Sequence, residues 1–541
     1  MHKRARTLHF RSDPRFSFLE SLWFRLRCSR LVIRSLLAAA LLVGAGGVSA
    51  DSGGQTRVNV ILWFDTEDYL LPADDDATLR LAEMLTQRGV RATFKMVGEK
   101  ARVLERRSRQ DVITALKKHD IGYHTDFHSV HPTPTEYLAD CGLTDGMAEF
   151  VRRESGGAAD VRRIFGLKTL ACYGQPGSSW APQATAALAW IGVASGGVPC
   201  YVDEGDQVSL EGKPFWYAGA LSVFGMSPNW TRMDLHDPQV VEPAKQKVAA
   251  IAERLAKEDG GGLISIFYHP CEWVHQEFWD GVNFRRGANP PREQWRRPPQ
   301  RPEAETEAAF QRFGDYIDFI RKMQGVRFVT ASELPDLYRD GARMDGCSAT
   351  CLSQLAHTLC EEGPKRLDFR VLGQQAYSCA DQFELLLRAV EGLIDGKAPQ
   401  FPVRLWGLLG PEAAPPPSSE RTRLDWPAFR DAVKDLGDFV RANKRLPSRV
   451  FVGAEALPPA DFLCGLASVW GFYSQHGRLP TTEGVPIASR VELLPARHVA
   501  EDTPGLFGGW IIHKEGFRAP RLMDLARLQA WTLKPAVRVK D

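Results

Sequence analysis

The stretch "VNVILWFDTEDY" (58–69) opens on a nearly continuous apolar run and closes on three acids. A short apolar run of this kind reads as a strand buried on both faces, as parallel sheets require. Asp65, Glu67 and Asp68 then fall where the strand meets its loop. In α/β folds that edge of the sheet gathers the chemistry.

Outward from this strand, apolar runs alternate with amphipathic ones as far as about residue 337. "DDDATLRLAEMLTQRG" (74–89) reads as a helix, with acids in its first turn and glycine as its stop. "RATFKMVGE" (91–99) reads as a strand and "SRQDVITALKKHD" (108–120) as a helix. Later come a strand in "GGLISIFYH" (261–269), a helix in "AAFQRFGDYIDFIRKM" (308–323) and a strand in "GVRFVTASEL" (325–334). Repeated β–α alternation predicts an α/β domain with a parallel sheet or barrel.

Four pieces with chemical potential sit at strand ends or in loops. They are the acids of "WFDTEDY", the two histidines of "HTDFH" (124–128), the turn-rich "CYGQPGSSW" (172–180), and His269 at the end of "ISIFYHP" (264–270). One carboxylate and two neutral imidazoles make a facial site for a divalent ion, zinc by ligand type. Such an ion lowers the pKa of water and polarises a carbonyl, which prepares hydrolysis of an amide or ester. A second carboxylate would serve as base and a separate histidine as acid.

This ordered set resembles the polysaccharide deacetylase family, the NodB-homology domain of carbohydrate esterase family 4. "ILWFDTED" is similar to its acid-bearing first motif, "RATFKMVGE" to its Thr-Phe strand, and "HDIGYHTDFH" to its His-x-x-x-His motif. "ISIFYHP" resembles the strand of its catalytic histidine, and "VRFVTASEL" its closing strand. The resemblance spans residues 57–340 and implies a distorted (β/α) barrel of NodB type that removes acetyl groups from N-acetylated sugars. It implies Asp65 as general base, His269 as general acid, and Glu67, His124 and His128 as metal ligands, with Asp68 the rival to Glu67. The family's third motif supplies an arginine in an Arg-x-Pro frame, whereas this chain reads Gly174-Gln175-Pro176. Gln175 is therefore expected to hydrogen-bond the base without lending it charge.

The stretch 270–305 is rich in Trp, Phe, Arg and Pro and shows no periodicity. It reads as a lid whose Trp273, Trp279 and Trp295 stack on sugar rings and whose arginines meet glycan carboxylates. Two other readings stand beside deacetylation: hydrolysis of a small non-polysaccharide amide at the same metal site, and a degenerate barrel that only binds glycan.

Residues 341–541 form a smaller, mainly helical region. Within it "VLGQQAYSCADQFELLLRAVEGLIDGKAP" (371–399) is echoed by "VGAEALPPADFLCGLASVWGFYSQHGRLP" (452–480), a module used twice for binding or docking. Between them, "PEAAPPPSSERTR" (411–423) has the composition of a flexible linker. At the other end, residues 1–50 combine a basic lead, an apolar run (Leu36–Val48) and "VSA". They are expected to be a signal peptide or an N-terminal anchor, which makes the rest an exported chain meeting a glycan or peptidoglycan substrate. With 68 basic against 66 acidic residues, the charge gives no reason to expect a nucleic-acid partner. An exported chain with ten cysteines is compatible with disulfides, and Cys347, Cys351 and Cys360 cluster closely enough for a local one, for inert thiols, or for a zinc site.

Overall fold

A computed structural model describes residues 57–362, 365–397 and 399–539. The expected signal peptide or anchor lies outside the described residues. Among these, no helix is long and apolar enough to cross a membrane.

The organising element is β1 (Val58–Thr66), buried along its whole length. On one side it pairs in parallel with β7 (Gly262–Tyr268), from Val58 opposite Gly262 to Phe64 opposite Tyr268. On the other, its first half pairs with β8 (Val326–Val329) and its last residues with β2 (Thr93–Met96). Strand β3 (Asp120–Tyr123) continues the sheet beyond β2. All five strands are parallel, so their C-terminal ends share one edge. Along β1, Val60, Leu62 and Phe64 pack into the larger core formed with the helices, while Ile61 and Trp63 enter a separate interior cluster with Cys172, Val202, Leu221 and Phe267. The period-2 alternation thus fills two cores from one strand, which explains why the run is apolar throughout.

Beyond β3 the order continues to β4 (Cys200–Val202), β6 (Ala220–Val223) and β5 (Phe215–Tyr217). The joins are single parallel bridges, Tyr123 to Tyr173 and Tyr173 to Tyr201, and Trp230 reaches back to Ser265 of β7 in the same way. The domain is therefore mixed α/β, with a parallel sheet to which β5, antiparallel to β6, adds the one reversed strand of this order. No continuous hydrogen-bonded ladder closes it among the described residues, so the expected barrel is met only in its parallel strand order.

Residues 342–493 build a second core, mainly from the helices Ala349–His357, Cys379–Ile394, Trp426–Asn443 and Pro459–His476. Val371 faces Ala376 in one antiparallel hairpin and Phe451 faces Ala456 in the other, and each hairpin leads into one of these helices.

The boundary expected at 340/341 does not separate two bodies. The chain returns after residue 494: Val499, Phe507, Leu522 and Leu533 join the first core, and Lys534–Pro535 pairs antiparallel with β5. The Pro-rich stretch is likewise docked at its start. Glu412 bonds Thr144 and Arg445, and the Pro411 carbonyl accepts from Gln529. Among the described residues Cys141, Cys172, Cys200, Cys271, Cys347, Cys351, Cys360 and Cys379 are free thiols; Cys347 donates to the Ser348 carbonyl at 3.5 Å, and Cys360 Sγ lies 3.6 Å from Ser468 Oγ.

Candidate functional site

The shared strand edge brings Asp65 and Glu67 from the end of β1, His124 and His128 from the loop after β3, and His269 from the end of β7 into one buried cluster. Glu67 Oε2 lies 2.9 Å from His128 Nε2 and 3.6 Å from His124 Nε2. Each imidazole is oriented from its other nitrogen. His124 Nδ1–H donates to the Gly174 carbonyl at 3.0 Å, and His128 Nδ1 bonds Ser129 Oγ at 2.5 Å. Both Nε2 atoms are buried, and the Glu67 carboxylate is the polar group they share. Two convergent imidazole nitrogens sharing one buried carboxylate fit a divalent ion, and ligand atoms of Glu67, His124 and His128 all lie within 4.8 Å of one another.

The loop holding the histidines is strained. Thr125 and His128 take left-handed φ values of 61° and 56°, which non-glycine residues rarely adopt. Asp126, between the histidines, faces away from the cluster and pins this loop. Its carboxylate meets Arg102 at 2.7 Å and its backbone N–H donates to Glu154 at 2.9 Å. The loop is seated so closely that a Cβ on Gly157 would lie 2.5 Å from Asp126 Oδ1.

Asp68, the rival ligand, turns elsewhere. Its Oδ2 is 3.0 Å from His275 Nδ1 and its Oδ1 accepts from the Leu70 amide. Glu67 is the carboxylate that faces both histidines.

Burial raises the Glu67 carboxyl well above the usual range, and neighbouring carboxylates push the same way. Burial also drives the His124 imidazole well below its ordinary value and His128 down to about 4. His269 moves in the opposite direction. Burial lowers it, but the Glu272 carboxylate at 2.7 Å from Nδ1 and the nearby Glu67 outweigh that and hold it at about 9. Its Nε2 lies 3.6 Å from Asp65 Oδ2. For Asp65, burial raises the carboxyl, yet His124, Lys95 and His269 more than offset it, so the group is held below its ordinary value.

Lys95 has no place in the sequence expectation. Asp65 and Lys95 are register partners on neighbouring parallel strands, so their side chains leave the same face and meet at 2.9 Å. Lys95 also ion-pairs Asp203 and lies 4.0 Å over the Trp63 ring, fully buried.

Three expected substrate contacts are corrected. Gln175 does not hydrogen-bond Asp65: it is buried, accepts from the Tyr201 hydroxyl and donates to the carbonyls of Gly177 and Glu204. Trp273 is 0% exposed, wedged against Phe313, Tyr268 and Phe310. Trp279 is 0% exposed, its ring 4.8 Å from Tyr69 and 6.0 Å from His128. Neither tryptophan presents a face to a sugar, whereas Glu272, Gln276, Glu277 and Phe278 of the same stretch line the cavity at His269.

The open surface is made by other residues. A cavity of about 420 Å³ is lined by Trp63, Asp203, Glu204, Trp230, Phe267 and Trp510. It shares Glu204, Trp230 and Phe267 with a second of about 790 Å³ that reaches His269. Trp230 is 38% exposed there. Trp510 comes from the returning C-terminal segment. It packs edge-on against His128 at 5.5 Å, and its Nε1–H donates to Asp280, which also receives Ser129 Oγ.

No family profile matches the chain, and no curated protein matches it. Solved structures do. One is a protein assigned as a polysaccharide deacetylase from Mycobacterium smegmatis, 14% identical, covering 55% of this chain and 94% of that one at a TM-score of 0.34. Another is a family 4 carbohydrate esterase from Streptomyces lividans, 15% identical over 50% of this chain and 90% of that one, TM-score 0.24. A third is a family 4 pseudoenzyme from Bacillus anthracis, 12% identical over 52% and 65% of the two chains, TM-score 0.26. The chain thus resembles carbohydrate esterase family 4 proteins. A likeness this distant assigns no chemistry, which rests on the residues themselves.

Proposed function

We propose that this chain is an exported, metal-dependent hydrolase that removes acetyl groups from N-acetylated sugars of a polysaccharide or peptidoglycan, on a distorted barrel of NodB type. The observation that carries the reading is the convergence of Glu67 with the two buried imidazole Nε2 atoms, flanked by a carboxylate held below its ordinary pKa and a histidine held protonated.

Glu67, His124 and His128 would hold the ion, zinc by ligand type. Bound there, a divalent ion polarises an acyl carbonyl and lowers the pKa of water. Asp65 takes the proton of the attacking water. His269, charged at neutral pH and oriented by Glu272, gives its proton to the amide nitrogen as the C–N bond breaks. Acetate and a free amine are the products. The exposed Trp230 ring, with Phe267 and Trp510 beside it, gives a sugar a stacking wall.

The test is acetate release by the metal-loaded protein from N-acetylglucosamine oligomers, peptidoglycan and a panel of small amides. Release from the glycans, lost in Asp65→Asn and His269→Ala, supports the reading. Hydrolysis confined to small amides moves the substrate. A protein that retains metal and binds glycan but hydrolyses nothing is a binding protein.

A further inference from the structure

We infer that Lys95 is the residue that fixes and charges the surroundings of Asp65, from a neighbouring strand, and that Gly174 is glycine because the Lys95–Asp203 pair occupies the volume its side chain would need. The inference rests on the hydrolase reading and names a positioning residue within it.

Three observations carry it. First, Lys95 Nζ is 2.9 Å from Asp65 Oδ1, the oxygen that does not face His269. The ammonium therefore fixes one oxygen of the carboxylate and leaves Oδ2 on the His269 side. Second, a Cβ built on Gly174 would lie 2.0 Å from Lys95 Nζ, 2.2 Å from Asp203 Oδ2 and 2.7 Å from the Val202 carbonyl. No side chain fits at 174 while the pair is in place. The glycine keeps its carbonyl, which orients His124, and gives up its side-chain volume to the lysine. Third, ligand atoms of Asp65, His124 and Asp203 converge closely enough to surround a cation, and Lys95 lies between the two carboxylates. The ammonium is the cation of that cage. Burial alone would discharge it, but Asp203 and Asp65 outweigh burial and keep the lysine above its ordinary value.

A lysine whose only duty was packing would be replaceable by methionine. One that positions and charges Asp65 is not, because the buried carboxylate would be left with a single strong partner fewer and its rotamer free.

The experiment measures kcat and KM for acetate release from N-acetylglucosamine oligomers, with bound metal and melting temperature, for the wild type, Asp65→Asn, Lys95→Met, Lys95→Arg, Lys95→Ala and Lys95→Ala/Gly174→Arg. Lys95→Met is expected to lower kcat about 100-fold with KM and metal content unchanged. At least one of the two arginine variants is expected to recover tenfold or more over its uncharged counterpart. If Lys95→Met does not fold, Lys95→Met/Asp203→Asn removes the buried pair together and is read by the same criterion. A kcat within threefold of wild type in the uncharged variant overturns the inference. So does the absence of recovery in both arginine variants when they are folded and metal-loaded. An inactive Asp65→Asn beside an active Lys95→Met sinks this inference and leaves the hydrolase reading standing. A wild type that releases no acyl group from any substrate removes both.

Discussion

His269 donates its Nδ1–H to Glu272 at 2.7 Å, and Arg232 holds the same carboxylate from its other oxygen. The imidazole is thereby aimed, with Nε2 toward Asp65, and its pKa is raised to about 9. A raised histidine is protonated below its pKa and loses that proton as pH rises through it. Activity that needs His269 as acid should therefore fall on an alkaline limb. Glu272→Gln removes the largest charged partner, so that limb should move to lower pH while the acid limb stays. A pH–rate profile of kcat/KM checks this, and an unmoved alkaline limb argues against His269 as the acid.

The carboxylate choice is decided by metal stoichiometry. Glu67→Gln and His124→Ala should each lose bound metal. Asp68→Asn should keep it, because Asp68 is engaged by His275 and the Leu70 amide. Elemental analysis of the purified variants reads the difference. Metal lost from Asp68→Asn and kept by Glu67→Gln would reverse the assignment.

Ion uptake should release a proton. Burial holds the Glu67 carboxyl well above its ordinary value, so it keeps its proton to higher pH than a free carboxyl does, while burial holds the His124 and His128 imidazoles below theirs. A ligating carboxylate must give its proton up, so metal affinity should rise with pH. Titration calorimetry in buffers of different ionisation enthalpy counts the proton, and a count of zero contradicts the prediction.

The aromatic corrections separate stability from binding. Trp273→Ala empties a fully buried site and should destabilise the protein by about 3–5 kcal/mol. Trp230→Ala, at a half-open position, should leave the melting temperature nearly unchanged and raise KM for a glycan oligomer. Denaturation and steady-state kinetics on the two variants read opposite patterns.

Trp510 should matter to the metal although it lies far from every ligand in sequence. Its Nε1–H supports Asp280, which receives Ser129, the partner of His128. Trp510→Phe keeps the ring and removes the donor, and it should weaken metal affinity about tenfold. Competition against a chelator of known affinity measures this.

The candidate groups Asp65, Glu67 and His269 could be picked out in the sequence because they close apolar runs, and His124 because it pairs with His128 after the short strand Asp120–Tyr123. Asp65, Glu67, His124 and His269 stand where strands end, and parallel strands bring those ends together whatever the remaining chain does. The sequence echo falls on two hairpins that each lead into a helix, because such a unit is a local pattern. Lys95 was not readable, because its meaning depends on β2 lying in register with β1, a non-local fact. Trp273 and Trp279 misled for a related reason. Their exposure depends on distant partners: Phe64 and Phe313 enclose Trp273, and Tyr69 with Phe284 encloses Trp279. Trp510 carries no local signal at all; only the returning chain brings it to His128.

The most direct test of the metal-dependent account is anomalous X-ray scattering from crystals of the protein, collected at the absorption edge of the metal it carries. The account predicts one strong peak bounded by Glu67, His124 and His128. A peak at another site, such as the Cys347–Cys351 thiols, or no peak in protein that releases acetate, would contradict it.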